Sequence, residues 1–311
     1  VYVVGDFLRE TRLRKGYTQE EVSYGICTTA SLSRIENGAQ KPGRLILEKL
    51  FERLGTENNL FNSFVSKEEM ELYLEIQTLI RNVTDGDLQR IEEQIDIVDK
   101  LTKNTSELER QSLFWAKGTL AAQKYGNNEK AIEWLMRAIQ ITLPDFDGKN
   151  PLRNHLLTFD EITIINSIAV RHGEKGDLLT AIQLDMWLKE YMENKIVDGK
   201  MKTAKYPMIL YNLSYWLGDE NCHNEALKMA EQGVDYCVKY GNLPALPTLI
   251  FNKGAALAEL GRSDEAKKCF FQSITIFEAM KKPAQVQIAI DWCREHYQME
   301  IQYPPSIGPN A

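Results

Sequence analysis

Two sets of residues in this 311-residue sequence have the types and spacing to do chemistry. The first opens with Thr18-Gln19-Glu20-Glu21. A Thr followed three residues later by Glu satisfies two orphan amides at a helix start, so a short helix begins there. It ends near Tyr24-Gly25, and a second begins at Thr28 or Thr29 and runs through Leu32 and Ile35 to Asn37-Gly38. Gly38 suits the left-handed position that closes a helix. Two short helices joined by a tight turn describe a helix-turn-helix, whose second helix lies in the major groove of double-stranded DNA. Leu32 and Ile35, with Leu8, Val22 and Leu50, supply its core, while Thr29, Ala30, Ser33 and Arg34 lie elsewhere on the helix. An arginine donates two hydrogen bonds to guanine, and a threonine methyl or an alanine touches a thymine methyl.

The second set is Asn166, Asn212 and Asn252, which recur at one position of a repeating pattern. A side-chain amide donates and accepts, so a row of them can grip the backbone of an extended peptide whatever its side chains. Pockets beside the row would read those side chains: Phe159, Ile162 and Thr163; Met208, Ile209 and Tyr215; Thr248, Phe251 and Ala255. Trp216, four residues beyond Asn212, is a further candidate for stacking on a ligand. The chemistry of catalysis is missing. His155, His172, His223 and His296 form no H-E-x-x-H and sit in different segments, so no metal is expected. Gly-rich phosphate loops and G-x-S-x-G elbows are absent as well, and we expect neither enzyme activity nor a cofactor.

The elements that must hold these residues are helical throughout, because apolar residues recur with a 3.6-residue period and strand signals are almost absent. Residues 5–64 read as short helices broken by Gly16, Gly25, Gly38, Pro42 and Gly55; from about Lys67 the helices lengthen. We therefore expect a head over residues 1–65, a body over 66–300 and an extended or disordered tail over 301–311, where three prolines forbid a helix. Within the body, Asn166, Asn212 and Asn252 are each followed by a turn (Gly176-Asp177, Gly218-Asp219, Gly261-Arg262) and then by Ala181, Ala226 or Ala266 in nearly constant register. An earlier copy runs from Trp115 through Gly126-Asn127 to Ala131. Such repetition means helical hairpins stacked as a right-handed solenoid, small residues permitting close crossing and Trp134, Trp187 and Phe270 filling the gaps.

Hydrophobic residues at 43% and charged residues at 26% fit a chain with a real core. No apolar run reaches the roughly 18 residues needed to span a bilayer, and Val1–Val4 lacks the basic flank of a leader, so a cytoplasmic protein without a membrane partner is expected. The chain opens without Met, and we expect residues before Val1 to have been removed or to lie outside the sequence. Five scattered cysteines predict reduced, mostly buried thiols. Net charge is −7, yet residues 1–65 carry nine Lys/Arg against eight acids, so the head alone is a candidate for polyanion contact.

The body hairpins resemble tetratricopeptide repeats, most closely at Gly254, Leu257, Gly261, Ala266 and Phe270. The head resembles the lambda-repressor-like helix-turn-helix family through Arg12, Thr18-Gln19-Glu20-Glu21-Val22 and Ser31-Leu32-Ser33-Arg34-Ile35-Glu36-Asn37-Gly38. Together the two halves look like the peptide-responsive quorum-sensing regulators grouped as Rgg, NprR, PlcR and PrgX. That resemblance implies base contacts by Thr29, Ala30 and Arg34, with Thr28 and Ser33 beside them, phosphate contacts by Gln19 and Asn37, and an inward ion pair between Arg12 and Glu36. It also implies a homodimer on palindromic DNA and a short signalling peptide on the concave face of the body. The alternative is a protein like the Rap phosphatases, which share the body without the head and act on a response regulator.

Overall fold

The computed structural model describes residues 4–56, 67–103, 105–150, 152, 155–195 and 199–301; nearly all of the expected boundary segment and of the tail lies outside the described residues. Every regular element among the described residues is a helix. By compactness the chain divides into two units, 1–201 and 202–311, the division falling in the first turn of a helix that spans Gly199–Asp219.

The first unit begins with α1 (Val4–Arg14), α2 (Gln19–Ser23), α3 (Thr29–Glu36) and α4 (Arg44–Arg53). Thr18 caps α2 in the expected box with Glu21, and Thr28, not Thr29, is the N-cap of α3, accepting from the Ser31 amide. Leu8, Val22, Leu32, Ile35 and Leu50 are buried as the pattern required, at 2% exposure or less. Leu108 and Leu156 join the same apolar cluster from far along the chain, so the head does not stand apart. The unit continues with α5 (Lys67–Asp85), α6 (Leu88–Leu101), a 3-10 turn (Glu107–Arg110), α7 (Gln111–Gln123), α8 (Asn128–Gln140), α9 (Phe159–Glu174) and α10 (Leu178–Asn194). The turns of its hairpins share one device. Gly126 and Gly176 take left-handed φ values of 62° and 82° that close one helix, and the next residue, Asn127 or Asp177, caps the following helix with its side chain.

The second unit holds α11 (Gly199–Asp219) from Lys202 onward, α12 (His223–Tyr240), α13 (Leu246–Glu259), α14 (Ser263–Ala279) and α15 (Pro283–Tyr297). The turn expected at Gly218-Asp219 lies later: both residues end α11, and Asn221 takes the left-handed conformation at φ 60°. Asparagine tolerates that region because its short side chain bonds locally. The small residues fall where close crossings need them. Ala131, Ala181, Ala226 and Ala266 are at most 1% exposed, and a Cβ on Gly254 would sit 2.8 Å from the Phe270 ring. The chain is thus all-α, a helix-turn-helix followed by hairpins like those of tetratricopeptide repeats. All five cysteines are free, three of them buried. No helix among the described residues is long and apolar enough to cross a membrane.

Candidate functional site

α3 turns Leu32, Ile35 and Glu36 inward and leaves Thr28, Thr29, Ala30, Arg34 and Asn37 exposed, with Ser33 half-buried. Glu36 is held by a fork: Arg12 donates Nε and Nη2 to its two carboxylate oxygens at 2.7 and 2.8 Å. The expected ion pair is therefore built, and the Glu36 hydrogen bond pushes the Arg12 guanidinium above its ordinary pKa. Gln19 adds Nε2 to the same carboxylate at 2.7 Å. Arg34 is steadied on the surface by Gln40, which accepts from Nε at 3.1 Å, and by Ser31 at 3.3 Å. Its guanidinium is thereby held in one place at the surface.

The other side of the head is welded to α9 and the segment before it. Arg53 donates to Glu161 at 2.6 Å, both side chains being at most 1% exposed, and also to the Tyr24 carbonyl. Lys49 meets Asp160 at 2.5 Å. Glu161 is there for a local reason, since it completes a capping box with Thr158 at the start of α9. Glu52 accepts from the amide of Phe159 at 3.2 Å; burial, with Asp160 and Glu48 near by, pushes its carboxyl up to about 8 against the pull of Lys49. The helix-turn-helix turn itself is engaged: Tyr24 donates to Asp145 at 2.5 Å, and its ring meets His155 edge-on at 4.6 Å. Burial, with the Asp145 hydrogen bond, raises the Tyr24 phenol to about 12. Gly25, at φ 67°, lies so close to Thr142 that a Cβ would strike its carbonyl oxygen.

In the second unit a groove of about 860 Å³ is lined chiefly by α11, α13 and α15, the first helices of successive hairpins. These helices run parallel. Asn242 and Asn252, entering and within α13, reach Thr203 and Tyr211 of α11, and Phe251 and Ala255 meet Trp292 and Tyr297 of α15. Asn252 donates Nδ2 to the Tyr211 carbonyl at 3.3 Å and to Ser214 Oγ at 2.8 Å. A carbonyl only accepts, so the amide orientation is fixed by chemistry and Oδ1 takes no part in these bonds. Tyr211, Tyr215, Phe251, Trp292 and Tyr297 make the wall aromatic. Large rigid aromatics beside a few fixed polar atoms are what a small-ligand site requires.

Residues 83–297 match the model of the RNPP family C-terminal domain. The chain belongs to the RNPP family. Residues 3–64 of this RNPP chain match a helix-turn-helix domain. Over 63 residues, 20% of this chain and 83% of the relative, it is 38% identical to an uncharacterized HTH-type transcriptional regulator, YqaF, of Bacillus subtilis (strain 168). Among solved structures it is similar to PlcR of Bacillus thuringiensis in complex with the peptide PapR7 and DNA, with TM-score 0.62 and 18% identity over 94% of this chain and 100% of that one. A putative transcriptional regulator of Listeria monocytogenes EGD-e gives TM-score 0.52 and 16% identity over 96% and 99%. At such identities the likeness is one of fold. The RNPP chain is a transcriptional regulator with a helix-turn-helix head and an RNPP C-terminal domain.

The structure gathers Tyr215, Thr248, Phe251 and Asn252 on the groove wall. Other expected contacts are corrected. Ile162 and Ile209 are 0% exposed and Trp216 is 5%, so all three are packed inside their hairpins and offer a ligand nothing. Met208 is exposed but does not line the groove, and Asn212 is buried beside it without lining it. Asn166, in the first unit, gives its amide to both oxygens of buried Asp185 at 3.1 Å, a bond between α9 and α10. Asn166 and Asn252 thus each tie one helix to another, which needs an amide as much as a ligand would. In the head, Gln19 Nε2 is engaged with Glu36, and two of the nine cations counted toward polyanion contact, Lys49 and Arg53, face the body. Sequence reasoning missed Gln40, Asp219, Glu259 and Lys282, and the whole docking set from Tyr24 to Glu161. One signal was available for the last: Thr158-x-x-Glu161 has the same capping pattern as Thr18-x-x-Glu21.

Proposed function

We propose that this chain is a cytoplasmic, peptide-responsive transcription regulator. Its head reads a palindromic DNA site as one half of a homodimer, through Thr28, Thr29, Ala30, Ser33 and Arg34, with Asn37 and Gln19 at the phosphates. Two-fold operators ask for two heads about 34 Å apart, which is the reason for the dimer. The groove on α11, α13 and α15 takes a short linear peptide, and a peptide that binds one arrangement of the protein better than another shifts its population on DNA. One observation carries this reading: a long, aromatic groove with an oriented amide lies on the same chain as an exposed recognition helix. That PlcR has been solved with both a peptide and DNA supports it by analogy of fold. Native mass spectrometry of the protein purified from its host is the test. A bound peptide, lost when Phe251→Ala and Asn252→Ala are combined, is the expected result. A protein that carries no peptide, and whose DNA affinity is unmoved by host extract, would rule the peptide role out.

A further inference from the structure

The groove has two chemically different ends. Because α11, α13 and α15 run parallel, their carboxyl-terminal ends lie together, and two of them finish in groove-lining acids, Asp219 and Glu259. Tyr215 and Tyr297 line the groove beside them, the Tyr297 hydroxyl donating to the Ala255 carbonyl at 3.4 Å, and burial holds the Asp219 carboxyl above its ordinary range. His223 and His296 also line this end, with Nδ1 of His223 buried and unpartnered and the His296 ring stacked on Trp292 at 4.3 Å. The other end is formed by the start of α13 at Pro244 and Thr248 and by Lys282, the N-cap of α15 and, among the described residues, the only Lys or Arg lining the groove. Lys282 and Tyr297 are separated by the length of α15, about 22 Å at roughly 1.5 Å per residue. An extended chain covers that span with about six or seven residues.

We propose that the groove binds its peptide in one direction, with a free α-amino group at the Asp219 and Glu259 end and the α-carboxylate toward Lys282. The inference rests on the peptide-binding reading and adds the ligand's end groups to it. An ammonium meets two carboxylates and the tyrosine rings beside them, a setting that favours a cation by charge and by ring quadrupole. The carboxylate meets a lysine. The reverse orientation would place like charge on like at both ends.

The test uses the full chain and a synthetic library of heptapeptides with free ends. Peptides are selected on the native protein and counter-selected on Ala255→Trp, which fills the groove and must keep its helical circular dichroism. The best binder is then made with its amino terminus acetylated, with its carboxyl terminus amidated, and with both. Acetylation should weaken binding roughly five- to tenfold in the native protein and less than about twofold in Asp219→Asn/Glu259→Gln. Amidation should cost roughly three- to fivefold, and that cost should vanish in Lys282→Gln. As a direct readout, a benzophenone side chain in the last peptide residue should cross-link around Gln285, and one in the first residue around Tyr297. Enriched peptides whose end-capping costs are unchanged in these variants, or whose cross-links are reversed, would overturn the direction while leaving the peptide site standing. A library with no peptide enriched over Ala255→Trp would overturn the peptide reading itself, and the direction with it.

Discussion

Replacing Arg53 by methionine should loosen the head from the body more than any change on the DNA face. The guanidinium and the Glu161 carboxylate are 1% and 0% exposed and 2.6 Å apart, so neither has water to fall back on. Removing one member of such a pair leaves the other charged and buried, at a cost of about 3–5 kcal/mol. Against a total stability of about 5–15 kcal/mol, that is enough to open the contact measurably. Glu161→Gln should also destabilise, since Arg53 is then the stranded charge. The double variant Arg53→Met/Glu161→Gln strands neither. Glutamine at that position still completes the capping box with Thr158, so the double variant should recover at least about 2 kcal/mol relative to the sum of the single changes. Because the two compact units need not unfold together, a global denaturation curve is a poor readout. Hydrogen exchange followed by mass spectrometry on peptides from 44–53 and 158–174 reads the opening of this contact directly. Strictly additive losses in the double variant would show that the two side chains do not depend on one another, and the welded head would have to be abandoned.

Arg34→Ala should cost about 1–3 kcal/mol on the specific operator and much less on random duplex, read by fluorescence anisotropy at fixed salt; equal losses would remove base reading from its role. Glu52 makes the docking pH-dependent. Its carboxyl titrates near 8 when folded against an ordinary 4.5, so the folded form keeps a proton that the unfolded chain has lost. The stability it contributes is full below about pH 4.5 and lost as pH climbs through about 8, by up to about 1.4 kcal/mol per unit, and Glu52→Gln should flatten that slope in urea titrations at pH 5 to 8. Gly25→Ala should open the head contact as strongly as Arg53→Met, visible as raised exchange in 142–161, because the new Cβ meets a carbonyl and the backbone is left-handed. Iodoacetamide should alkylate exposed Cys222 first, well ahead of Cys237 and Cys293, which burial raises to about 11 and about 12; comparable rates at all three would mean the second unit is not packed as described.

The fold was legible because its signals are local. Thr18-x-x-Glu21, the Gly-Asn and Gly-Asp turns and the buried alanines each act within one hairpin, and periodicity carries the rest. The Arg12–Glu36 pair could be expected from the head motif alone. What stayed hidden depends on elements more than a hundred residues apart. Nothing near Arg53 announces Glu161, and a charge count treats both as surface. The Asn row is ambiguous for a related reason. Its period is real, but a period says only that a position is equivalent in each repeat, and an amide that ties one helix to the next recurs as faithfully as one that grips a ligand. Likewise, Ile162 and Ile209 lie near Asn166 and Asn212 in sequence, but the 100° step between helical residues turns them into the core.

The glycine at position 25 bears on how such a regulator could be recombined. A helix-turn-helix is often treated as a portable cassette. Here the cassette has a keyed back. Tyr24 and Gly25 fit Asp145 and Thr142, and Lys49 and Arg53 fit Asp160 and Glu161. A grafted head with any side chain at position 25, or without the two cations on α4, would fold and still hang loose. A working chimera must carry both halves of the key, Thr142, Asp145, Asp160 and Glu161 along with the head.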